Sequence, residues 1–392
     1  MRIICKCPIF VMIEYNTMIK NPFITYGYDG PEYFCDRVQE TESLTRLLRN
    51  GNNVVLMSPR RMGKTGLLMH SFSQAEVAEE YNTFLIDIYA TSNLQDLVYS
   101  MGKAILSQLM PRGQKALSRF MKTVSSLRPV MSVDIMGNPN WSIEPSRSEE
   151  PSYSLDQIFK YLGESDKPNI VAIDEFQQIV FYPEKNVEAV LRTLIQRCKN
   201  TVWVFSGSSR HLLSEMFISP ARPFYASTTA MSLECLPCEA YADFSQSLFG
   251  RYGKSVEREV SEYVYKKFEG VTWFMQRVMN RLFSDTPEGA DCTQNMVDAA
   301  VKSIIDDNSS IYSDLLYQLT GRQKELLVAI NREKKATAIT GGKFVKKYGL
   351  QSPSTVQTSI KALVDRQIVT SDKGVYEVYD KFFSMWLETH MW

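Results

Sequence analysis

The stretch Val54-Val55-Leu56-Met57-Ser58-Pro59-Arg60-Arg61-Met62-Gly63-Lys64-Thr65 decides the architecture of the chain. Its first four residues are apolar, which suits a short strand buried on both faces. Leu67, Leu68 and Phe72 follow at helical spacing, so the residues after Gly63 read as a helix. A strand, a loop ending in Gly-Lys-Thr and a helix form the context in which a loop cradles phosphate. Backbone N–H groups of the loop and helix N-terminus converge there on an anion, and the helix dipole adds favourable charge. Gly63 then permits close backbone approach, Lys64 reaches the β- and γ-phosphates, and Thr65 offers a hydroxyl to Mg²⁺. Ser58 stands where the G-x-x-x-x-G-K-S/T pattern has its first glycine; a residue with a Cβ fits if its φ is negative. Taken alone, the stretch also allows a chance Gly-Lys-Thr at a strand–helix turn.

Further along, Asn169-Ile170-Val171-Ala172-Ile173-Asp174-Glu175 is an apolar strand ending in two acids. A strand tip beside a phosphate loop is where a Mg²⁺-organising carboxylate belongs, and Asp174 fits that place. Glu175, one residue on, is placed to polarise an attacking water as general base. A third apolar run, Val202 to Phe205, ends in Ser206-Gly207-Ser208-Ser209. Ser208, with Ser206 second, is the candidate for sensing the terminal phosphate; a Ser/Gly turn capping the helix of Leu212 and Leu213 is the equal alternative.

Strands at Val54–Met57, Phe84–Tyr89, Ile170–Ile173, Val202–Phe205 and Thr229–Leu233, separated by helical patterns, predict an α/β parallel sheet covered on both faces. Residues 129–151 read as an inserted hairpin around Gly137-Asn138-Pro139-Asn140. After about Pro237 the strands stop and helical patterns take over, Tyr241–Leu248, Val256–Phe268 and Trp273–Phe283. From Gly321, three helices and two strands around Asp372-Lys373-Gly374 predict a winged helix-turn-helix. The expected organisation is a tail over residues 1–20, a core over 21–236, a helical lid over 237–312 and a winged helix over 313–392.

Composition sets outer bounds. At 392 residues, 44% hydrophobic and 22% charged, the chain suits two or three globular domains. Lys+Arg and Asp+Glu both total 44, which argues against a protein coated by nucleic acid along its whole surface. Residues 321–373 are locally basic, with 11 Lys/Arg against 4 Asp/Glu, among them Lys343, Lys346, Lys347 and Lys361. That leaves DNA contact open beside a merely solvated face or a protein-docking role. Seven scattered cysteines fit a reducing compartment, and Cys235-x-x-Cys238 without a second pair reads as buried structural thiols. No stretch approaches the roughly 20 apolar residues of a membrane span, so a cytoplasmic protein with no membrane partner is expected. Met18 is the expected functional start, with residues 1–17 a loose extension.

With these motifs in place, the chain resembles the archaeal-type ATPase family, a branch of P-loop NTPases close to AAA+ and STAND ATPases. The resemblance runs from about residue 20 to the C-terminus. Phe34-Cys35-Asp36-Arg37-Val38-Gln39-Glu40 matches the family's aromatic–Arg–Glu motif, which in relatives lies near the adenine. Pro59 to Thr65 with its paired arginines, Asp174-Glu175-Phe176-Gln177 and Gly207-Ser208-Ser209 match as well. The resemblance implies ATP and Mg²⁺ as ligands. Arg37, Ser58, Pro59, Arg60, Arg61, Met62, Gly63, Lys64, Thr65 and Gly66 would bind nucleotide, Thr65 and Asp174 the metal, and Glu175, Lys64 and Ser208 would act in catalysis.

Two departures bear on rate. Relatives often carry Pro-Leu-Tyr-Gly-Arg before the last sheet strand, where this chain has Pro223-Phe224-Tyr225-Ala226-Ser227; Arg222 just upstream is a candidate substitute of different geometry. A Gly-x-Pro turn in the lid is Gly270-Val271-Thr272. Slow turnover is therefore expected, in an ATPase switch whose nucleotide pulls the winged helix toward the core and whose hydrolysis releases it. The alternative is a nucleotide-gated protein- or DNA-binding module with little hydrolysis. An unidentified protein client and a nucleotide-dependent oligomer are both compatible with the sequence.

Overall fold

The computed structural model describes residues 21–110, 114–133, 139–145 and 150–391. The expected tail, with Met18, Cys5 and Cys7, lies outside the described residues, as do Gly137 and Asn138 of the expected hairpin turn, whereas Pro139 and Asn140 of that turn belong to a strand.

Among the described residues up to 236 there are seven strands: β1 (Val54–Met57), β2 (Asn82–Asp87), β3 (Leu127–Val133), β4 (Pro139–Pro145), β5 (Asn169–Asp174), β6 (Thr201–Gly207) and β7 (Thr229–Ser232). Five of them form a parallel sheet in the order β2-β5-β6-β1-β7. The sequence explains why this sheet is buried on both faces. Alternate residues of each central strand enter opposite cores: Val54, Leu56, Ile170, Ala172, Val202 and Val204 on one side, Val55, Met57, Val171, Ile173, Trp203 and Phe205 on the other. Helices Val38–Arg49 and Lys64–Ser73 cover the first face. Helices Leu94–Leu109 and Pro151–Gly163, with the 3₁₀ turn Phe176–Phe181, cover the second. An antiparallel hairpin β3–β4 is paired from Leu127↔Pro145 to Val133↔Pro139.

The register positions the chemistry. Asp87 lies opposite Asp174, Ile173 opposite Phe205, and Met57 opposite Gly207. Two acidic tips, a Ser/Gly tip and the phosphate loop thus share one carboxyl edge, where open α/β sheets bind ligands.

Beyond Pro237 come helices Cys238–Arg251, Arg258–Lys267, Thr272–Asp285, Gln294–Asp307 and Ser309–Tyr317. Then follow helices Gly321–Glu333, Gly342–Lys347 and Pro353–Asp365, and a three-stranded sheet of Ala336–Thr337, Val369–Asp372 and Val375–Val378. Helix Lys381–His390 ends the described chain. Lid and winged-helix residues form one apolar cluster. Phe268 and Phe274 of the lid pack on Phe382, with ring centroids 5.2 and 5.5 Å apart, and Tyr312 packs on Phe383 at 5.2 Å. Phe23, fully buried, enters the same cluster against Phe244, Phe249 and Phe283.

Three expectations need correction. Strands do not stop at Pro237: Ser255–Val256 pairs in parallel with Asp291–Cys292, a bridge too short to leave a periodic signal. The helices Gln294–Asp307, Ser309–Tyr317 and Lys381–His390 were not anticipated. Cys235 is exposed and Cys238 half-buried, because β7 ends at Ser232 and leaves both in or beyond the linker to the lid.

Candidate functional site

A cavity of about 480 Å³ opens at the carboxyl edge of the sheet, between the core, the lid and the winged helix. Its floor is the phosphate loop. Gly63 has φ 93, a conformation that favours glycine, and it directly precedes the helix starting at Lys64. Ser58 is absent from the positive-φ residues, so its Cβ meets no backbone penalty. It is wholly buried and does not line the cavity, and neither does Pro59. Instead their carbonyl oxygens accept from Lys64 Nζ at 3.4 and 3.5 Å. Arg60, Arg61, Met62, Gly63, Lys64, Thr65 and Gly66 do line it. Gly66 is held close by Phe34: an added Cβ would sit 3.3 Å from that ring.

Lys64 is 6% exposed. Burial pushes its ammonium below the ordinary lysine value, while Glu175 and Asp174 pull the other way and Arg60 adds to the lowering. A buried ammonium with only two long carbonyl contacts lacks a full hydrogen-bond set, and an anion in the cavity would complete it.

The loop and the acidic strand tip meet. Thr65 Oγ1 donates to Asp174 Oδ2 at 2.7 Å. Asp174 Oδ1 accepts from Ser206 Oγ at 2.6 Å and from Glu175 N at 3.0 Å, so the carboxylate is fixed at both oxygens. Glu175 adopts φ 56, in the left-handed region, which turns the chain out of β5. Its Oε2 accepts from Gln177 Nε2 at 2.5 Å and from Ser208 Oγ at 2.8 Å. Ser208 also accepts from Arg60 Nε at 3.1 Å and does not line the cavity, so its hydroxyl acts on Glu175 rather than facing the cavity. Arg37 is buried at φ 66; Nη1 pairs with Glu40 at 2.6 Å and Nη2 donates to Met62 O at 3.3 Å, bracing the loop from behind. Arg37, Arg61 and Glu175 are all non-glycine residues with positive φ that line the cavity, a clustering of strain typical of functional sites.

Several lining residues escaped the sequence reading. Asp87 ends β2 beside Asp174; burial raises its carboxyl above the usual range, Tyr89 N–H opposes this, and Asp174 and Glu175 add to the rise. An apolar run ending in Asp is the same signal that picked out Asp174. The strap Ile24–Asp29 forms another wall, with Phe34 stacked on His70 at 4.4 Å and Tyr28 Oη 2.8 Å from His70 Nδ1. From the lid come Thr272, Trp273 and Gln276, and from the winged helix Tyr379. Arg222 does not line the cavity: it pairs with Glu188 at 2.7 Å and Glu215 at 3.6 Å.

A family model described as an ATPase domain predominantly from Archaea matches residues 34–278. The chain belongs to that family. A second model, described as "Probable winged helix domain", matches residues 310–389 of this archaeal-type ATPase. Among solved structures it is similar to the Walker-type ATPase PABY2304 of Pyrococcus abyssi, at 17% identity and TM-score 0.64, covering 94% of this chain and 99% of that one. The ORC2 protein of Aeropyrum pernix, solved as ADPNP–ADP complexes, is similar at 15% identity and TM-score 0.59, covering 95% and 98%. The ORC1 protein of the same organism, in complex with DNA, is similar at 13% identity and TM-score 0.52, covering 91% and 92%. At these identities the likeness establishes the fold: a P-loop ATPase core followed by a winged helix. No curated protein matches by sequence.

The donor set suits a magnesium nucleotide. Thr65 and Asp174 would offer hard oxygen ligands, and Mg²⁺ is ordinarily held by one or two such groups together with phosphates and water.

Proposed function

We propose that this chain binds ATP with Mg²⁺ in the cavity, hydrolyses it slowly, and uses the site as a nucleotide-dependent conformational switch. The observation that carries this reading is the 2.7 Å contact of Thr65 with Asp174, a hydroxyl and a carboxylate meeting beside a buried lysine. The loop N–H groups and Lys64 hold the triphosphate, and Thr65 and Asp174 hold the metal. Bound there, Mg²⁺ would neutralise charge on the phosphate oxygens. Glu175 offers Oε1 to an attacking water and takes its proton, while Gln177 and Ser208 fix the other carboxylate oxygen. Turnover is slow because Ser227 replaces an arginine and Arg222 is bound to Glu188. An oligomer could supply that charge from a neighbouring copy.

On this reading a core over residues 21–236, a lid over 237–312 and a winged helix over 313–392 move relative to one another as occupancy changes. The free cysteines suit a reducing cytoplasm, and no described helix is long and apolar enough to cross a membrane. The deciding experiment titrates purified protein with a fluorescent ATP analogue and Mg²⁺, then follows phosphate release. Absence of affinity for every nucleoside triphosphate would overturn the proposal.

A second reading, a nucleotide-gated module that binds DNA or a protein client, draws on the winged helix. Lys343, Lys346, Gln357, Thr358 and Lys361 are exposed there, although Lys347 pairs with Glu333. DNA affinity that falls with salt and disappears when Lys343 and Lys346 are neutralised would favour it.

A further inference from the structure

Both arginines of the phosphate loop run from the cavity to the winged helix. Arg61 Nη1 lies 3.2 Å from Asp380 Oδ2. Its guanidinium stands 4.0 Å from the Trp273 ring centroid and 4.8 Å from that of Tyr379, while Trp273 N donates to Arg61 O at 3.1 Å. Arg60 hydrogen-bonds Gln367 through Nη1. Asp380 divides its carboxylate: Oδ1 caps helix Lys381–His390 by accepting from Phe382 N and Phe383 N, and Oδ2 faces Arg61. The Arg61 and Asp380 side chains are each 25% exposed, so the pair is only partly screened by solvent.

A guanidinium is a planar fork that fits a carboxylate and a phosphate equally well, and it cannot face both at full strength. Arg61 lines the cavity, two residues before Gly63. Its backbone is fixed at φ 68, but its long side chain can turn between the two anions. Because lid and winged helix share one apolar cluster, a change at Asp380 is transmitted to both.

We propose that Asp380 is a positioning residue of the nucleotide site, set in the winged helix, and that it competes with the bound polyphosphate for Arg61. Nucleotide then loosens the docked winged helix, and docking weakens nucleotide binding by the same factor. This rests on reading the cavity as a nucleotide site. It gives the motion a sign opposite to the closure expected from the sequence.

The test uses the full chain, with Asp380→Asn as the main variant because asparagine keeps the helix cap and removes the charge. Asp380→Ser, which also keeps a capping oxygen and removes the charge facing Arg61, is the backup should Asp380→Asn fold poorly. Amide exchange over residues 375–383 is followed with and without Mg²⁺ and a non-hydrolysable ATP analogue. The variant should exchange faster than wild type before nucleotide is added. Saturating analogue should raise wild type toward the variant's rate and leave the variant unchanged. The variant should also bind the analogue about 5-fold more tightly. Binding that slows or does not alter this segment in wild type, or equal affinities, overturns the competition alone. No binding of the analogue by wild type overturns the nucleotide reading and the competition together.

Discussion

Thr65 Oγ1 and Asp174 Oδ2 are 2.7 Å apart although 109 positions separate them in the chain. Strand β6 lies between β1, which leads into the phosphate loop, and β5, and its penultimate residue Ser206 holds the other oxygen of the same carboxylate through its hydroxyl. Three parallel strands therefore fix one carboxylate, and rigid elements of this kind hold ligands more exactly placed than loops do.

Removing the Lys64 amine, held by the Ser58 and Pro59 carbonyls, separates binding from stability. Lys64→Ala should lower ATP affinity by roughly 100-fold, the loss of charge-assisted contacts. Lys64→Met should leave the thermal midpoint of the nucleotide-free protein unchanged or higher, because burial disfavours the ammonium. Fluorescence titration and thermal melting check the two halves.

Hydrolysis should depend on Glu175 far more than binding does. Glu175→Gln should keep affinity and lower single-turnover phosphate release by about 100-fold or more. Ser208→Ala should have a smaller effect in the same direction, since its hydroxyl reaches Glu175 and not the cavity. Unchanged release in Glu175→Gln would remove it as the base.

Arg37→Ala should destabilise the chain by about 1–3 kcal/mol, leaving Met62 O without its donor and Glu40 without its partner. Urea unfolding measures the loss, and weaker ATP binding should accompany it because the loop loses its brace.

Acid should weaken the junction of lid and winged helix. Burial pushes the Glu269 carboxyl up, but Lys335 and Lys381 outweigh it and hold it below the ordinary value of 4.5. A lowered carboxyl contributes stability above its unfolded value and loses it as pH falls through the folded one. Glu269→Gln should therefore be less stable than wild type at neutral pH, by no more than about 1 kcal/mol for so exposed a cluster. The gap should close below pH 4.5, as read from paired melting curves.

The sheet was legible because a strand buried on both faces must be apolar throughout, and Val54–Met57, Ile170–Ile173 and Val202–Phe205 are. Lys64, Thr65, Asp174 and Glu175 stood out because each terminates or follows such a run. Asp87 carries the same signal and passed unnoticed at the end of a segment read as running on to Tyr89. The winged-helix side of the cavity left no trace. Trp273, Tyr379 and Asp380 each have an ordinary local role, and only tertiary packing joins them to Arg61. Helix Lys381–His390 was hidden because Phe382, Phe383 and Trp386 continue the apolar character of the preceding strands.

The strap over the cavity acts as a leash. Phe23 is anchored in the lid's apolar cluster and Tyr28 on the helix that follows the phosphate loop. Five residue steps join those anchors, and an extended chain gains at most about 3.5 Å per step. While both anchors hold, the Phe23 and Tyr28 backbones can part by no more than roughly 17 Å, so this segment limits how far the lid can swing from the phosphate-loop helix at that edge.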